Sequence, residues 1–175
     1  DTGGHGCCHV RSVVGVVTQP ERPTGRGLLL PSEQRADKQV PTVLSVARAA
    51  GLRTFQPDGL TDPGFLNAVD SLKPELGVVV AYGRLLPTEG LNRFPKGAVN
   101  LHASLLPKLR GAAPIQWALI RGETETGVTV FQIDERLDHG PILLQARHPI
   151  RPEETAQTLE AALSRLGAET LLKAV

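Results

Sequence analysis

The chain of 175 residues is 41% apolar and 21% charged, which fits one globular domain and excludes a disordered or fibrous protein. Its net charge of +1, from 19 basic and 18 acidic residues, excludes an attraction of nucleic acid to the domain as a whole. No apolar run approaches the roughly 20 residues of a membrane span. The two cysteines, Cys7 and Cys8, are adjacent and complete neither a disulfide nor a metal set.

Strand and helix patterns alternate along the chain, separated by proline and glycine. In chain order they predict a strand over 12–18, a loop over 19–32, helices over 41–51 and 63–73, strands over 76–81 and 97–102, a helix from Pro114 to near Gly122, a pair of strands over 127–133 and 141–146, and a helix over 153–174. This alternation predicts an α/β fold in which a mostly parallel, Rossmann-like sheet is flanked by helices. Because such sheets bind ligands beyond the carboxyl ends of their strands, we expect the site among the loops after residues 18, 81, 102 and 133.

Asn100 and His102 are two residues apart on a predicted strand, so their side chains project from the same face. An asparagine amide donates hydrogen bonds without a titrating proton, and it can stabilise an oxyanion while an imidazole manages charge or protons. The spacing by itself is a weak pattern and favours two polar strand-end residues that are satisfied by the backbone.

Asp138 lies in the turn Leu-Asp-His-Gly-Pro, just before a predicted strand. A carboxylate there could orient His102 or hold a water for proton transfer. The alternative is a local hydrogen bond between the Asp138 side chain and the backbone of its own turn.

Two loops carry cations near strand ends. The segment Ser104-Leu105-Leu106-Pro107 is followed by Lys108 and Arg110, and the loop over 19–32 carries Arg22 and Arg26. Guanidinium groups suit phosphate contacts. Both sets of cations are also compatible with solvated surface charges.

The string over residues 99–145 resembles the core of the 10-formyltetrahydrofolate-dependent formyltransferases. The shared pattern is Asn-x-His, then Ser-Leu-Leu-Pro, then an Asp in a Leu-Asp-x-Gly turn, and it is matched in order by Asn100, His102, the 104–107 segment and Asp138. The resemblance implies the formyltransferase fold, with these three residues as the catalytic group. Asn100 and a protonated His102 would bind the oxyanion, and Asp138 would keep His102 charged and move a proton through water.

The same resemblance implies 10-formyltetrahydrofolate as a cosubstrate and no metal. The folate would lie against Ser104, Leu105, Leu106 and Pro107, with backbone groups near Arg84 and Leu86 reading the pterin ring. Residues 13–27 and 110–129 are similar to the members of the family that formylate initiator methionyl-tRNA, which makes that tRNA the expected partner. Arg26, and secondarily Arg22, would contact it.

The resemblance also sets expectations for domain organisation. Residues 1–9 stay unassigned, and residues 10–175 form the catalytic domain. The chain, which has no methionine, is expected to be a fragment that lacks the family's first strand and C-terminal β domain. We expect a monomer with no membrane attachment, in the cytoplasm of a bacterium or alternatively in an organelle matrix. Two other functions stay open, namely formylation of a small amine such as a sugar nucleotide, and an inactive fragment that binds folate or RNA.

Overall fold

A computed structural model describes residues 12–20 and 42–175 of the protein. The chain divides between Leu72 and Lys73 into two compact units. No helix among the described residues is long and apolar enough to cross a membrane.

The described part of the first unit contains two short parallel strands and two helices. Its elements are β1 (Val16–Val17), α1 (Val43–Ala49), β2 (Thr54–Phe55) and α2 (Pro63–Ser71), and β1 pairs with β2. Both helices begin at a side-chain cap, since Thr42 accepts a hydrogen bond from Ser45 N and Asp62 accepts one from Phe65 N. The strand predicted over 12–18 is thus confirmed only at Val16–Val17, in its second half, and β2 was not predicted.

The second unit contains a four-stranded sheet and three helices. Its elements are β3 (Gly77–Val80), α3 (Thr88–Leu91), β4 (Ala98–His102), α4 (Pro114–Ile120), β5 (Glu125–Gln132), β6 (Ile142–Pro149) and α5 (Ala156–Ala174). The strands lie in the order β3-β4-β5-β6; β3 and β4 are parallel, whereas β5 and β6 continue the sheet antiparallel. The predicted α/β fold, with parallel strands flanked by helices, is confirmed.

Helix α5 covers one face of this sheet and builds the core. Leu159 and Leu163 of α5 are almost fully buried together with Val128 of β5, and burial of each such side chain contributes about 1.5–3 kcal/mol. Gly167 favours the close approach of α5 to β4, because a Cβ at this position would lie only 2.7 Å from Leu101 Cδ2 and the leucine side chain would have to shift. Since side chains alternate along a strand, Leu101 points towards α5 and its neighbours Asn100 and His102 point to the opposite face.

The loop after β5 lies at the opposite end of the strands from the one predicted. Residue 133 lies beside Ala98, at the start of β4, because β5 runs antiparallel to β4. The prediction that this loop lies at the carboxyl ends of parallel strands was therefore wrong. The loop over 134–140 still reaches His102, at the other end of β4, because it folds back along the strand.

Candidate active site

His102 lies at the end of β4 in a buried polar cluster. Its Nε2 atom is 2.9 Å from the carbonyl oxygen of Leu109, and its Nδ1 atom is 3.7 Å from Asp138 Oδ2. A carbonyl can only accept, so Nε2 must carry the proton and donate it to Leu109. The Nδ1 edge of the ring therefore faces the carboxylate. The side chains of His102 and Asp138 are each only 8% exposed.

Asp138 is held in place by the backbone of a neighbouring loop. Its Oδ2 atom accepts a hydrogen bond of 2.8 Å from Gly111 N, and its own backbone has a positive φ of 48°. Two residues later, a Cβ on Gly140 would collide with the carbonyl oxygen of Gln132, so only glycine fits there. Of the two alternatives at the level of sequence, the contact with His102 is the one present, and the backbone N–H that the Asp138 side chain accepts belongs to Gly111 and not to its own turn.

Three more residues with positive φ lie between His102 and α4. They are Leu109 (φ 55°), Gly111 (φ 88°) and Ala113 (φ 57°), and the first two bond His102 and Asp138. A left-handed backbone at residues other than glycine costs about 1–3 kcal/mol each and persists where surrounding contacts enforce it. The 109–113 segment is thus shaped to bring its backbone groups to the His102–Asp138 pair.

Asn100 is half-buried and lies two residues before His102, on the same face of β4. It pairs in register with Val79 of β3 and Phe131 of β5. Within the described ranges its side-chain amide has no hydrogen-bond partner. Its two N–H donors therefore remain available to an acceptor on this face.

The loop that follows β4 is held in place by buried residues of its own. Ser104 is fully buried, and its Oγ donates to the carbonyl oxygen of Lys108 over 2.6 Å. Leu106 is buried before a cis bond to Pro107, whereas Leu105 is half-buried and Pro107 is exposed. Ser104 thus has a structural role that its position in the sequence did not reveal.

The remaining predicted ligand contacts lie after β3 or outside the described ranges. Arg84 and Leu86 are half-buried in the segment between β3 and α3. An open cleft of about 470 Å³ lies nearby, lined by residues of the 88–98 and 133–135 segments, and it contains none of the predicted folate contacts. Arg22 and Arg26 lie outside the described residues.

Two pairs of charged or polar side chains lie in the loops around the site. Lys108 Nζ is 3.5 Å from Glu123 Oε2. In the 134–140 loop, His139 Nδ1 is 3.0 Å from Asp134 Oδ2. The hydrogen bonds from His139 and from the backbone N–H of Arg136 lower the pKa of Asp134 below its usual value of 3.8.

Among the residues that the structure covers, no three His, Cys, Asp or Glu side chains are grouped to hold a metal ion.

Two residues of the site were not singled out from the sequence. Thr129 of β5 lies directly opposite His102, and Gln145 of β6 lies opposite Thr129. Both side chains bond the backbone of the 104–107 loop. The one available signal was a threonine within the buried run over 127–133, where a polar side chain requires partners.

Comparison with known proteins identifies the family to which the chain is similar. The Formyl transferase family matches residues 5–175. The chain is 51% identical over 160 residues to the "Methionyl-tRNA formyltransferase" of Thermodesulfovibrio yellowstonii, covering 91% of this chain and 49% of that protein. It is 45% identical over 175 residues to the protein of the same name from Anaeromyxobacter sp. (strain K), covering 100% of this chain and 52% of the relative. The chain therefore spans about half the length of the curated relatives it matches.

A solved structure with the same fold is that of phosphoribosylglycinamide formyltransferase from Bacillus halodurans. The TM-score is 0.69 at 23% sequence identity, and the match covers 90% of this chain and 76% of the other. At this identity the likeness concerns the fold alone.

Proposed function

The chain belongs to the formyl transferase family, and from that premise we propose that it is the catalytic part of an enzyme that formylates initiator methionyl-tRNA. The formyl group would come from 10-formyltetrahydrofolate. The observation that carries this proposal is the buried His102–Asp138 pair beside the open amide of Asn100, at the end of one strand. The names of the relatives at 45–51% identity support the tRNA as acceptor.

The reaction forms a bond between the methionine amine and the formyl carbon and breaks the bond between that carbon and N10 of the folate. As the amine adds, the electrons of the formyl carbonyl move onto its oxygen. The Asn100 amide would donate a hydrogen bond to this oxyanion. The protonated His102, whose two ring nitrogens face Leu109 and Asp138, would stabilise the oxyanion through its positive charge. Preorganised donors of this kind typically contribute about 2.7–4 kcal/mol to the lowering of the barrier.

Asp138 would take the proton that the amine loses and deliver it, through water, to the departing nitrogen. The 3.7 Å between Asp138 Oδ2 and His102 Nδ1 is longer than a hydrogen bond. Catalytic hydrogen bonds are often long without substrate and shorten in the reacting complex. Because the proton that leaves the amine ends on the folate, the reaction needs no external acid or oxidant.

The folate would lie against the Ser104–Pro107 loop, with Leu105 and Pro107 as the accessible side chains and the backbone near Arg84 and Leu86 reading the pterin ring. Ser104 and Leu106, which are buried, would act by shaping this loop. Arg26 and Arg22 would contact the tRNA. The family resemblance supports these assignments.

We assign residues 10–175 to the catalytic domain and leave 1–9 unassigned. The family match over residues 5–175 supports a catalytic domain that reaches residue 175. The proposal also includes a monomeric enzyme in the bacterial cytoplasm, where initiator tRNA is used.

The direct test is acceptor choice by the full-length protein. Radiolabelled 10-formyltetrahydrofolate is supplied together with initiator methionyl-tRNA and an amino-sugar nucleotide in competition. The proposal predicts label on the tRNA. Label on the sugar nucleotide alone would assign the enzyme to small amines, and folate binding without transfer to either acceptor would support a non-catalytic fragment.

A further inference from the structure

A row of polar side chains crosses three strands beneath the 104–107 loop. His102 of β4, Thr129 of β5 and Gln145 of β6 are direct cross-strand neighbours. Thr129 is fully buried in a strand whose other inward residues are mostly apolar. A buried hydroxyl in such a place is stable only when its hydrogen bonds are made.

The Thr129 hydroxyl makes every hydrogen bond that a hydroxyl can make. It donates to the carbonyl oxygen of Ser104 over 2.7 Å, and it accepts from Leu106 N at 3.1 Å and from Gln145 Nε2 at 2.9 Å. The same Gln145 nitrogen donates to the carbonyl oxygen of Leu106 at 2.9 Å. One donor and two acceptor sites are thereby used. Two side chains thus bind three backbone groups of the loop.

The loop that these side chains bind starts at His102 and returns to it through a hydrogen bond. The chain leaves β4 at His102, passes the bonded groups of Ser104 and Leu106, and continues to Leu109. The carbonyl oxygen of Leu109 then accepts from His102 Nε2. The position of this carbonyl decides which ring nitrogen carries the proton when His102 is neutral, and that position depends on the loop before it.

We infer that Thr129 and Gln145 are positioning residues for formyl transfer: they hold the 104–107 loop so that the Leu109 carbonyl, which accepts from His102 Nε2, fixes the orientation of the His102 ring. This inference rests on the proposed function and adds two residues to its site. Neither the Thr129 hydroxyl nor Gln145 Nε2 is expected to touch substrate, because both are already bonded to the loop.

The chain offers a matched control for Thr129 on the same strand. Thr126 is also buried, at 3% exposure, but its Oγ1 has no partner among the described residues. Replacing either threonine with valine removes one hydroxyl from the interior of β5 and leaves the shape nearly unchanged. Only Thr129→Val breaks bonds to the loop, so a difference between the two variants reports those bonds.

The test compares Thr129→Val, Thr129→Ser and Thr126→Val in the full-length protein, with formyl transfer to initiator methionyl-tRNA as the assay. Thr129→Val is expected to lower kcat by roughly 10- to 100-fold, the scale of a displacement of about 1 Å in a catalytic group. Thr129→Ser retains the hydroxyl and should recover most of this loss. Thr126→Val should keep the wild-type kcat.

A second readout separates positioning from stability. In ¹⁵N NMR spectra the neutral His102 ring should show the proton on Nε2 in the wild type and in Thr126→Val, and a mixture of tautomers in Thr129→Val. If Thr129→Val fails to fold, Gln145→Leu serves instead, because Gln145 lies on the exposed face of β6. It should lower kcat while the unfolding temperature stays close to that of the wild type.

The results separate a failure of the positioning role from a failure of the proposed function. If wild type and Thr126→Val formylate the tRNA and Thr129→Val does so equally well with an unchanged tautomer, the positioning role is refuted and the proposed function stands. If the wild type itself formylates no methionyl-tRNA, the proposed function fails first.

Discussion

Replacing Asp138 with asparagine removes the carboxylate charge from the site with little change in shape. The asparagine carbonyl can still accept the hydrogen bond of 2.8 Å from Gly111 N, so the 109–113 segment should keep its conformation. What is lost is a negative charge 3.7 Å from His102 Nδ1, in a pair only 8% exposed. The variant therefore isolates the electrostatic and proton-transfer roles of Asp138.

The size of the effect follows from that distance. Two unit charges about 4 Å apart attract by roughly 4 kcal/mol at an effective dielectric constant near 20. Since about 1.4 kcal/mol corresponds to a factor of ten in rate, loss of this attraction in the transition state would lower kcat by roughly 10³-fold. Folate binding should change much less, because the charge is directed at His102.

Glu154→Gln is the matched control for this variant. Glu154 also accepts a backbone N–H, that of Arg151 at 2.9 Å, and also faces an imidazole, that of His148 at 3.4 Å. It precedes α5 and has no role in the proposed site. We expect Glu154→Gln to keep kcat within about twofold of the wild type. A loss of less than about tenfold for Asp138→Asn in single-turnover formyl transfer, or an equal loss in both variants, would refute the role of the Asp138 charge.

Three further predictions concern the tRNA contact, the core and the acid stability of the protein. Arg26→Ala should raise KM for methionyl-tRNA more than KM for the folate in steady-state kinetics; equal increases would argue against a tRNA contact. Leu163→Ala should lower the free energy of unfolding by about 2–5 kcal/mol in urea titrations, because this side chain is buried between α5 and the sheet; a loss below about 1 kcal/mol would contradict that packing. The pKa of Asp134 is lowered in the fold, so its contribution to stability is present above its ordinary pKa of 3.8 and is lost as the pH falls through its lowered value. Asp134→Asn should therefore lose less stability than the wild type between pH 5 and pH 2, and parallel losses would show that the pair contributes nothing.

The sequence predicted the elements of the second unit well because their patterns are long and local. The apolar run before residue 81 and the helical spacing of Leu159 and Leu163 each fixed one element, to within a few residues. The short elements β2 and α3 were missed, since two to four residues carry too little pattern. The antiparallel course of β5 was missed as well, because a pair of strands looks the same in sequence whichever edge it joins.

The site was predicted through residue types and resemblance, and its supporting contacts were not. The two-residue spacing placed Asn100 and His102 on one face, as observed. The contact of Asp138 with His102 spans 36 residues and depends on a loop that folds back along β4, which no local pattern encodes. The burial of Ser104 and its bond to Lys108 depend on tertiary structure in the same way. The expectations for residues 1–9, for the family's first strand and for Arg22 and Arg26 concern residues outside the described ranges and stay predictions.

The oxyanion role of Asn100 is the central claim, and the rate of a single turnover tests it most directly. Full-length wild type and Asn100→Ala are mixed with 10-formyltetrahydrofolate and saturating initiator methionyl-tRNA, and the formylated tRNA is measured against time. Loss of one oxyanion donor predicts a rate lower by roughly 10²- to 10³-fold, with the folate dissociation constant changed by less than about threefold. A rate within threefold of the wild type would contradict the account, because the open amide of Asn100 would then have no part in the chemistry.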